Sequence, residues 1–181
     1  MAQSTITLTV RPAEVADAGD IAASHVRSWQ VGYAGVIPDA FLRGLDKDLA
    51  KRTLHIQTEI LGAEAENRFV LVGEVEGEIV GWLGGGPYRT PAPGGAALGE
   101  VYACYVDPVY WCQGVGGALM AAALERLTGA AYREAVLWVL ADNPRARTFY
   151  EHHGWAADGT SKTYEVAGQR LPEVRYRRAL P

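Results

Sequence analysis

The chain has 181 residues, of which 49% are hydrophobic and 21% are charged, and its formal net charge is −4. This length supports one hydrophobic core, and the composition excludes a disordered or fibrous chain. The acidic balance and the lack of a long basic run exclude nucleic acid as the main partner. The unusual feature is the count of 21 glycines, which fall in clusters and need an explanation.

The cysteines and the apolar segments indicate the cellular compartment of the protein. Cys104 and Cys112 have neither the spacing of metal ligands nor that of a disulfide framework, so we expect two reduced thiols and no metal site. The first residues lack the pattern of a signal peptide, and the longest apolar run, 118–124, is too short to span a bilayer. We therefore expect a cytoplasmic protein with no membrane partner, built as a single domain over residues 1–181.

The chain begins with a strand and two helical segments. Alternating residues predict a strand at 5–10, and Asp17 and Asp20 provide N-caps for a helix that continues through Trp29. A second helical stretch is predicted over residues 38–60, because Pro38 and Asp39 suit a helix start.

A hairpin and a loop follow. Phe69–Val75 and Glu78–Leu83 are rich in β-forming residues and are joined at Glu76 and Gly77, which predicts a short β-hairpin. Residues 84–97, GGGPYRTPAPGGAA, are predicted to form a mobile surface loop.

The second half alternates between strands and helices. The predicted elements are a strand at Leu98–Val106, a helix at Gly114–Thr128, a strand at Ala135–Leu140, a helix at Asn143–His153, and two closing strands at Thr160–Val166 and Leu171–Ala179 around Gly168. Strands lead directly into helices twice. This predicts an α/β sheet with some parallel pairing beside an antiparallel N-terminal hairpin.

The most informative segment is Glu100–Met120, in which a strand ends shortly before a glycine cluster that opens a helix. Gly114, Gly116 and Gly117 precede or begin an apolar helix whose first backbone N–H groups lack intrahelical partners. Such a junction suits a pyrophosphate, but it is equally compatible with a tight turn that only connects two elements. The dinucleotide motif is excluded because Leu119 stands where that motif needs glycine, and the nucleoside-triphosphate motif does not occur.

Two longer motifs resemble the core of the GCN5-related N-acetyltransferase (GNAT) superfamily. They are VDPVYWCQGVGGALM, which starts at Val106, and ADNPRARTFYEHHGW, which starts at Ala141. The resemblance covers roughly residues 98–157, and the first ninety residues match only in layout. It departs from the family at Trp111, where Gln or Arg is usual, while Gln113 lies two residues later.

The resemblance implies a fold of the α/β (α+β) class with one GNAT-like domain. Its central twisted sheet would be mixed and mostly antiparallel, with a parallel pair of strands at the cofactor site and helices on both faces.

The resemblance also implies acetyl-CoA, or another acyl-CoA, as co-substrate. Backbone groups of Cys104 and Val106, with Tyr105 between them, would pair with the thioester carbonyl and the pantetheine arm like an added strand. The amides that would hold the pyrophosphate are those of Cys112, Gln113, Gly114, Val115, Gly116 and Gly117. Asn143 would lie beside the pantetheine, although its position before Pro144 suits a helix N-cap alone.

Tyr150 is the candidate acid and Glu100 the candidate base. The family uses a Tyr at this position to protonate the departing thiolate, and the alternative for Tyr150 is core packing. Glu100, at the head of a strand, would deprotonate the acceptor ammonium directly or through water, and its alternative is an exposed charge at a strand start. Trp29 and Tyr33 share a helical face and would wall the acceptor pocket, unless they belong to the core.

We therefore expect an N-acetyltransferase that moves an acetyl group from acetyl-CoA to the primary amine of a small molecule by direct attack in a ternary complex. No cysteine or serine with a positioned base favours a covalent intermediate. The alternatives are a non-catalytic acyl-CoA-binding regulatory module and a protein or peptide N-terminal acetyltransferase. By resemblance, a homodimer through the C-terminal strands is also expected.

Overall fold

The fold is built on seven strands within residues 7–62, 66–90 and 97–181, which the computed structural model describes. The strands are β1 (Leu8–Pro12), β2 (Phe69–Val75), β3 (Glu78–Pro87), β4 (Leu98–Val106), β5 (Glu134–Leu140), β6 (Ala156–Val166) and β7 (Gln169–Ala179). They form one sheet in the order β1-β2-β3-β4-β5-β7-β6, in which β4 and β5 are parallel and all other neighbours are antiparallel. The predicted mixed, mostly antiparallel sheet with one parallel pair is confirmed.

Helices cover both faces of this sheet, as predicted. They are α1 (Ala18–Gly32), α2 (Asp39–Gly44), α3 (Leu49–His55), α4 (Val115–Gly129) and α5 (Pro144–His152), with short 3₁₀ turns at Val15–Asp17, Leu45–Asp48 and Pro108–Tyr110 and a π-helical turn at Ile56–Leu61. Ile21 of α1 packs with Val72 and Trp82 on one face, while Leu119 of α4 packs with Leu83 on the other. In the described part of the chain, no helix is both long and apolar enough to cross a membrane.

Glycines 84–86 belong to β3, so the loop predicted over residues 84–97 is wrong at its beginning. β3 continues to Pro87, and these glycines are buried between β2 and β4. A Cβ atom on Gly85 would lie 2.6 Å from the Phe69 ring, so close packing requires glycine there. Residues 91–96 of the predicted loop lie outside the described residues.

The first and the sixth strand start elsewhere than predicted. β1 begins at Leu8 instead of residue 5, and residues 5 and 6 lie outside the described ranges. β6 begins at Ala156, four residues before the predicted start. The reason is a bulge, since the register of β6 with β7 shifts between Ala157 and Ser161 and Gly159 has a φ of +83°. A bulge of this kind resembles a turn in the sequence.

The second helical stretch lies where it was predicted but is broken into short pieces. The 3₁₀ turn at Leu45–Asp48 separates α2 from α3. At this break the Gln30 side chain donates to the Leu42 carbonyl at 3.2 Å and to the Asp46 carboxylate at 3.1 Å. A side chain of α1 thereby satisfies a carbonyl at the end of α2.

β4 and β5 separate after a short parallel contact. They pair only over Leu98–Val101 with Glu134–Leu137, although β4 continues to Val106 and β5 to Leu140. Just where they part, the register of β4 with β3 shifts by one residue, which inserts Tyr102 as a bulge and bends the strand. The sheet therefore has a gap between β4 and β5, and the strand edges along it are unpaired.

Candidate active site

A cleft of about 980 Å³ occupies the gap between β4 and β5. Its volume suits an extended ligand. The site residues predicted from the sequence that line it are Trp29, Tyr33, Cys104, Tyr105, Val106, Cys112, Gly114, Gly116, Gly117, Asn143 and Tyr150. Glu100, Gln113 and Val115 lie outside this lining. The fold thus brings most of the predicted site together from four separate elements.

Alternate residues of β4 direct their backbone groups into the gap. The Asp107 amide donates to the Val80 carbonyl at 2.7 Å, so Tyr105, two residues earlier, also directs its backbone groups toward β3. Cys104 and Val106 consequently direct theirs toward β5, where no strand pairs with them. This is the orientation that an extended ligand needs in order to add to the edge of β4.

Trp111, at the position where the family usually has Gln or Arg, attaches its loop to β4. Its indole Nε1 donates to the Val106 carbonyl at 2.8 Å, and the Ser28 hydroxyl lies 2.8 Å from both that oxygen and the Ser24 carbonyl, which share its single proton. The Val106 carbonyl is thus engaged within the protein, so of the Val106 backbone groups the amide remains for a ligand. The Arg145 guanidinium lies 4.0 Å from the centre of the Trp111 ring and lines the cleft, so this end carries a positive charge.

The N-terminus of α4 carries a row of unpaired amides. Gly114 is the N-cap residue, and its φ of +88° is a left-handed conformation that favours glycine. Among the described residues, the amides of residues 112–117 find no backbone or side-chain acceptor. Together with the dipole of a 15-residue helix, they form a site suited to an anion such as a pyrophosphate. A Cβ atom on Gly116 would lie 3.2 Å from Phe149, so α5 packs directly against this turn.

Two predicted residues of this loop use their side chains elsewhere. The Gln113 side chain donates to the Val109 carbonyl at 2.8 Å, and the Val115 side chain is buried in the core. Only their backbone amides remain for a bound anion, which is the contact that the sequence resemblance implied.

Tyr150 lies on α5 with its ring in the core and lines the cleft. The ring meets Trp155 and Tyr176 edge-on, at centroid distances of 6.5 and 6.4 Å. Its hydroxyl forms no hydrogen bond within the described part of the chain. Burial, followed by the nearby Cys104 and Tyr105, raises the pKa of Tyr150 well above its ordinary value of 10. The phenol is therefore protonated at neutral pH and can donate a proton to a departing thiolate.

Asn143 caps α5, as its position before Pro144 predicted. Its side-chain oxygen accepts a hydrogen bond from the Ala146 amide at 3.1 Å. Because Asn143 also lines the cleft and the cap uses only its oxygen, its side-chain NH₂ is available to a ligand. The capping and ligand-binding interpretations are compatible.

The surroundings of Glu100 argue against its predicted role as the base. Its side chain is only 2% exposed, and both carboxylate oxygens are bound by Arg89. The Arg89 amide and Nε donate to Oε2 at 3.0 and 3.1 Å, and Nη2 donates to Oε1 at 2.6 Å. A base needs access to the proton that it removes, whereas this carboxylate is buried and engaged by a guanidinium. Glu100 instead fixes the segment after β3 to β4.

The cleft has a further wall that the sequence did not indicate, which we call the hairpin side. It consists of Trp138 of β5, Lys162 and Tyr164 of β6, and Glu173 of β7. In the sequence these residues are ordinary polar or aromatic positions of closing strands. Trp29 and Tyr33 also line the cleft, with ring centroids 4.9 Å apart in an edge-on contact, and both pack against the apolar cluster that includes Val26.

In this site a gap in a mixed sheet leads to an anion site at a helix start, and a buried phenol lies beside it. Together these features define a class of protein. The family model described as the acetyltransferase (GNAT) family matches residues 31–155. The chain belongs to the GNAT family and is an acyltransferase. A curated relative, the uncharacterised N-acetyltransferase YuaI of Bacillus subtilis (strain 168), is 31% identical over 92% of this chain and 90% of the relative.

Two solved structures share the fold. The PaiA N-acetyltransferase from Thermoplasma acidophilum, in complex with coenzyme A, superposes with a TM-score of 0.67 at 15% identity and covers 96% of this chain and 99% of its own. The protein yncA from Salmonella typhimurium, with its cofactor acetyl-CoA, has a TM-score of 0.65 at 20% identity and covers 96% of this chain and 94% of its own. At these identities the likeness is one of fold, and it confirms the predicted architecture.

Proposed function

We propose that this acyltransferase transfers an acetyl group from acetyl-CoA to the primary amine of a small molecule. The observation that carries the proposal is the continuity of one cleft. Its lining includes the unpaired amides at the start of α4, the open edge of β4 and Tyr150. Two proteins of the same fold were solved with coenzyme A or acetyl-CoA, which supports the same donor here.

In this proposal the chain holds the donor mainly through its backbone. The amides of residues 112–117 bind the pyrophosphate, and Arg145 adds a positive charge beside them. The open edge of β4 at Cys104 and Val106 pairs with the pantetheine arm. The Asn143 side chain donates to the same arm. Backbone contacts of this kind explain how the site tolerates Trp111 in place of the usual Gln or Arg.

The chain's own groups favour direct attack of the amine. Burial raises the pKa of the Cys104 thiol to about 12, so this cysteine stays protonated and is a poor nucleophile. Cys112 is exposed in the loop before α4. Tyr150 gives its proton to the sulfur as the carbon–sulfur bond breaks, and it regains a proton from the nitrogen that has become an amide.

Closure of the hairpin side supports a small acceptor. Val166 and Leu171, near the tip of the β6–β7 hairpin, pack against the apolar cluster that includes Val26, Ile37 and Leu42. This contact joins the hairpin to the α1–α2 region next to the cleft. A protein or peptide N-terminus would need an open groove at this point, so the closure favours a small molecule.

Tyr150→Phe tests the proposed reaction. We first measure acetyl-CoA binding by calorimetry, and then thiol release with a panel of amino acids, polyamines, aminoglycosides and peptides. The substitution removes only the hydroxyl, which has no hydrogen-bond partner in the described residues, so folding and acetyl-CoA affinity should be retained. Turnover should fall by roughly 10²- to 10⁴-fold, the usual contribution of a general acid.

The matched control is Tyr132→Phe, since Tyr132 is also buried but lies outside the cleft lining. It should keep wild-type turnover. Unchanged turnover in Tyr150→Phe would refute the role of the acid. Absence of acetyl-CoA binding at millimolar ligand would refute the donor, and binding without thiol release for any amine would favour a non-catalytic module.

A further inference from the structure

Glu173 is the carboxylate that faces the cleft. No other Asp or Glu occurs among the described residues that line it. The Glu173 side chain is 13% exposed, and its Oε2 atom is shielded from solvent and forms no hydrogen bond within the described ranges. The Lys162 ammonium, 3.3 Å away, pairs with its charge but makes no aligned hydrogen bond, so Oε2 can accept one from a ligand in the cleft.

The groups around Glu173 compensate its negative charge but leave one of its oxygens without a hydrogen bond. Lys162 Nζ lies 3.3 Å from Oε2 as an ion pair and 4.2 Å from the centre of the Trp138 ring. Burial, and next the negative charge of Glu173, raise the pKa of Tyr164, while Arg89 lies within electrostatic reach of the same carboxylate. The groups near Glu173 therefore include Lys162 and Tyr164 from β6, Arg89 from the segment after β3, and Trp138 from β5, with Arg175 of β7 near the same Trp138 ring.

The topology places Glu173 where an acceptor would enter. Glu173 pairs with Leu140, the last residue of β5, at the edge of the gap. The adjacent Val174 and the next inward residue, Tyr176, pack in the same cluster as Tyr150. Because side chains alternate along a strand, Glu173 faces the opposite side of the sheet. A ligand in the gap can meet Tyr150 from one side and Glu173 from the other.

From this placement we propose that Glu173 binds the ammonium group of the acceptor and removes its proton, a role that rests on the proposed function above. The carboxylate takes one proton and leaves a neutral amine, whose lone pair attacks the thioester carbonyl. A carbon–nitrogen bond forms and the carbon–sulfur bond breaks. A second proton of the nitrogen ends on the sulfur by way of Tyr150, and Glu173 releases its proton to solvent. Each amide formed therefore yields one thiol and one proton.

The test compares Glu173→Gln and Glu173→Asp with the matched control Glu165→Gln. Glu165 lies on β6, is 72% exposed and pairs with Arg170, outside the cleft lining. We measure kcat and KM for the fastest amine of the panel between about pH 6 and 10, a range over which most aliphatic amines lose their proton. Acetyl-CoA affinity is measured separately by calorimetry. Hydroxylamine, which is largely uncharged at neutral pH, serves as a second acceptor, with correction for its reaction without enzyme.

We expect Glu173→Gln to lower kcat/KM for the aliphatic amine by roughly 10²- to 10⁴-fold at neutral pH. The deficit should shrink by about tenfold per pH unit as the neutral amine becomes available. In the same variant kcat/KM for hydroxylamine should fall much less. Glu173→Asp should retain more activity than Glu173→Gln, and acetyl-CoA affinity should stay within about twofold of the wild type in every variant.

Two results would overturn the inference. One is a Glu173→Gln variant with the kcat/KM of the wild type. The other is a deficit that is the same at every pH and equal for hydroxylamine, which would indicate a structural role. Both leave the proposed function intact, because the wild type would be active. If the wild type releases thiol with no amine at all, the proposed function fails and this inference fails with it.

Discussion

Acidification should destabilise the protein through His25, a residue of α1 held among aromatic rings. The His25 ring stacks on Tyr105 at a centroid distance of 4.5 Å and lies 5.4 and 5.5 Å from Trp29 and Trp82. Its Nε2 atom is shielded from solvent and forms no hydrogen bond with any described residue. Burial, followed by the positive charge of Arg52, lowers the pKa of His25 from 6.5 to about 4.

The size of the effect follows from the difference between the folded and unfolded pKa values. Between these values the unfolded chain binds a proton at His25 and the folded protein does not, so stability is lost as the pH falls from 6.5 toward 4. At about 1.4 kcal/mol per pH unit, the full loss is about 3 kcal/mol, of which about 2 kcal/mol has occurred at pH 5. Above pH 6.5 the contribution of His25 is constant.

The assay is the free energy of unfolding in urea at about pH 8 and about pH 5. His25→Phe keeps an aromatic ring but removes the titrating group, while the exposed His55→Gln controls for loss of a histidine. Carboxylates titrate in all three proteins, so the informative quantity is how much more unfolding free energy one protein loses than another between the two pH values. Wild type and His55→Gln should lose about 2 kcal/mol more than His25→Phe. Equal losses in all three would show that His25 protonates freely in the folded state, and the reasoning would be refuted.

Two further predictions concern the loop and the thiols of the cleft. In the native protein the exposed Cys112 should react readily with iodoacetamide, whereas Cys104, whose pKa burial raises to about 12, should react much more slowly until urea is added. Mass spectrometry of the two peptides measures this, and equal labelling would reopen a covalent acyl intermediate. Trp111→Phe keeps a ring beside Arg145 but removes the hydrogen bond to the Val106 carbonyl, so the free energy of unfolding should fall by about 1 to 2 kcal/mol. An unchanged urea midpoint would contradict the attachment of the loop by this hydrogen bond.

The starts of α4 and α5, at the proposed donor site, were predictable because their determinants are local in the sequence. Gly114 needs a left-handed conformation, the next residues begin an apolar helix, and Asn143 precedes Pro144 at another helix start. Each of these requirements is decided by a few neighbouring residues. For Gly85 the prediction failed, because this residue lies in β3 between Phe69 of β2 and Val101 of β4, and that pairing is not local in the sequence.

The roles of the carboxylates could not be predicted, because a carboxylate's role depends on its partner in space. Glu100 and Glu173 are both strand glutamates, and the sequence distinguishes them only by position. The fold fixes Glu100 to Arg89 through three hydrogen bonds, whereas in the described residues Oε2 of Glu173 has an ion pair with Lys162 but no hydrogen bond. Strand pairing, which places β7 between β5 and β6, determines this difference.

The gap in the sheet also explains how the proposed acid and the proposed base can coexist in one small cleft. Tyr176 shows what happens when a phenol and a carboxylate share a face: its hydroxyl donates to Glu151 at 2.6 Å and accepts from Arg147 at 3.0 Å. A phenol bound in this way has its proton engaged and cannot readily give it to a ligand. Tyr150 lies on that same face, but Glu173 lies on the other, so the two cannot neutralise each other through a direct hydrogen bond. Only a ligand that lies in the gap, where β4 and β5 do not pair, can contact both Tyr150 and Glu173. The proposed proton transfers therefore depend on the separation of these two strands.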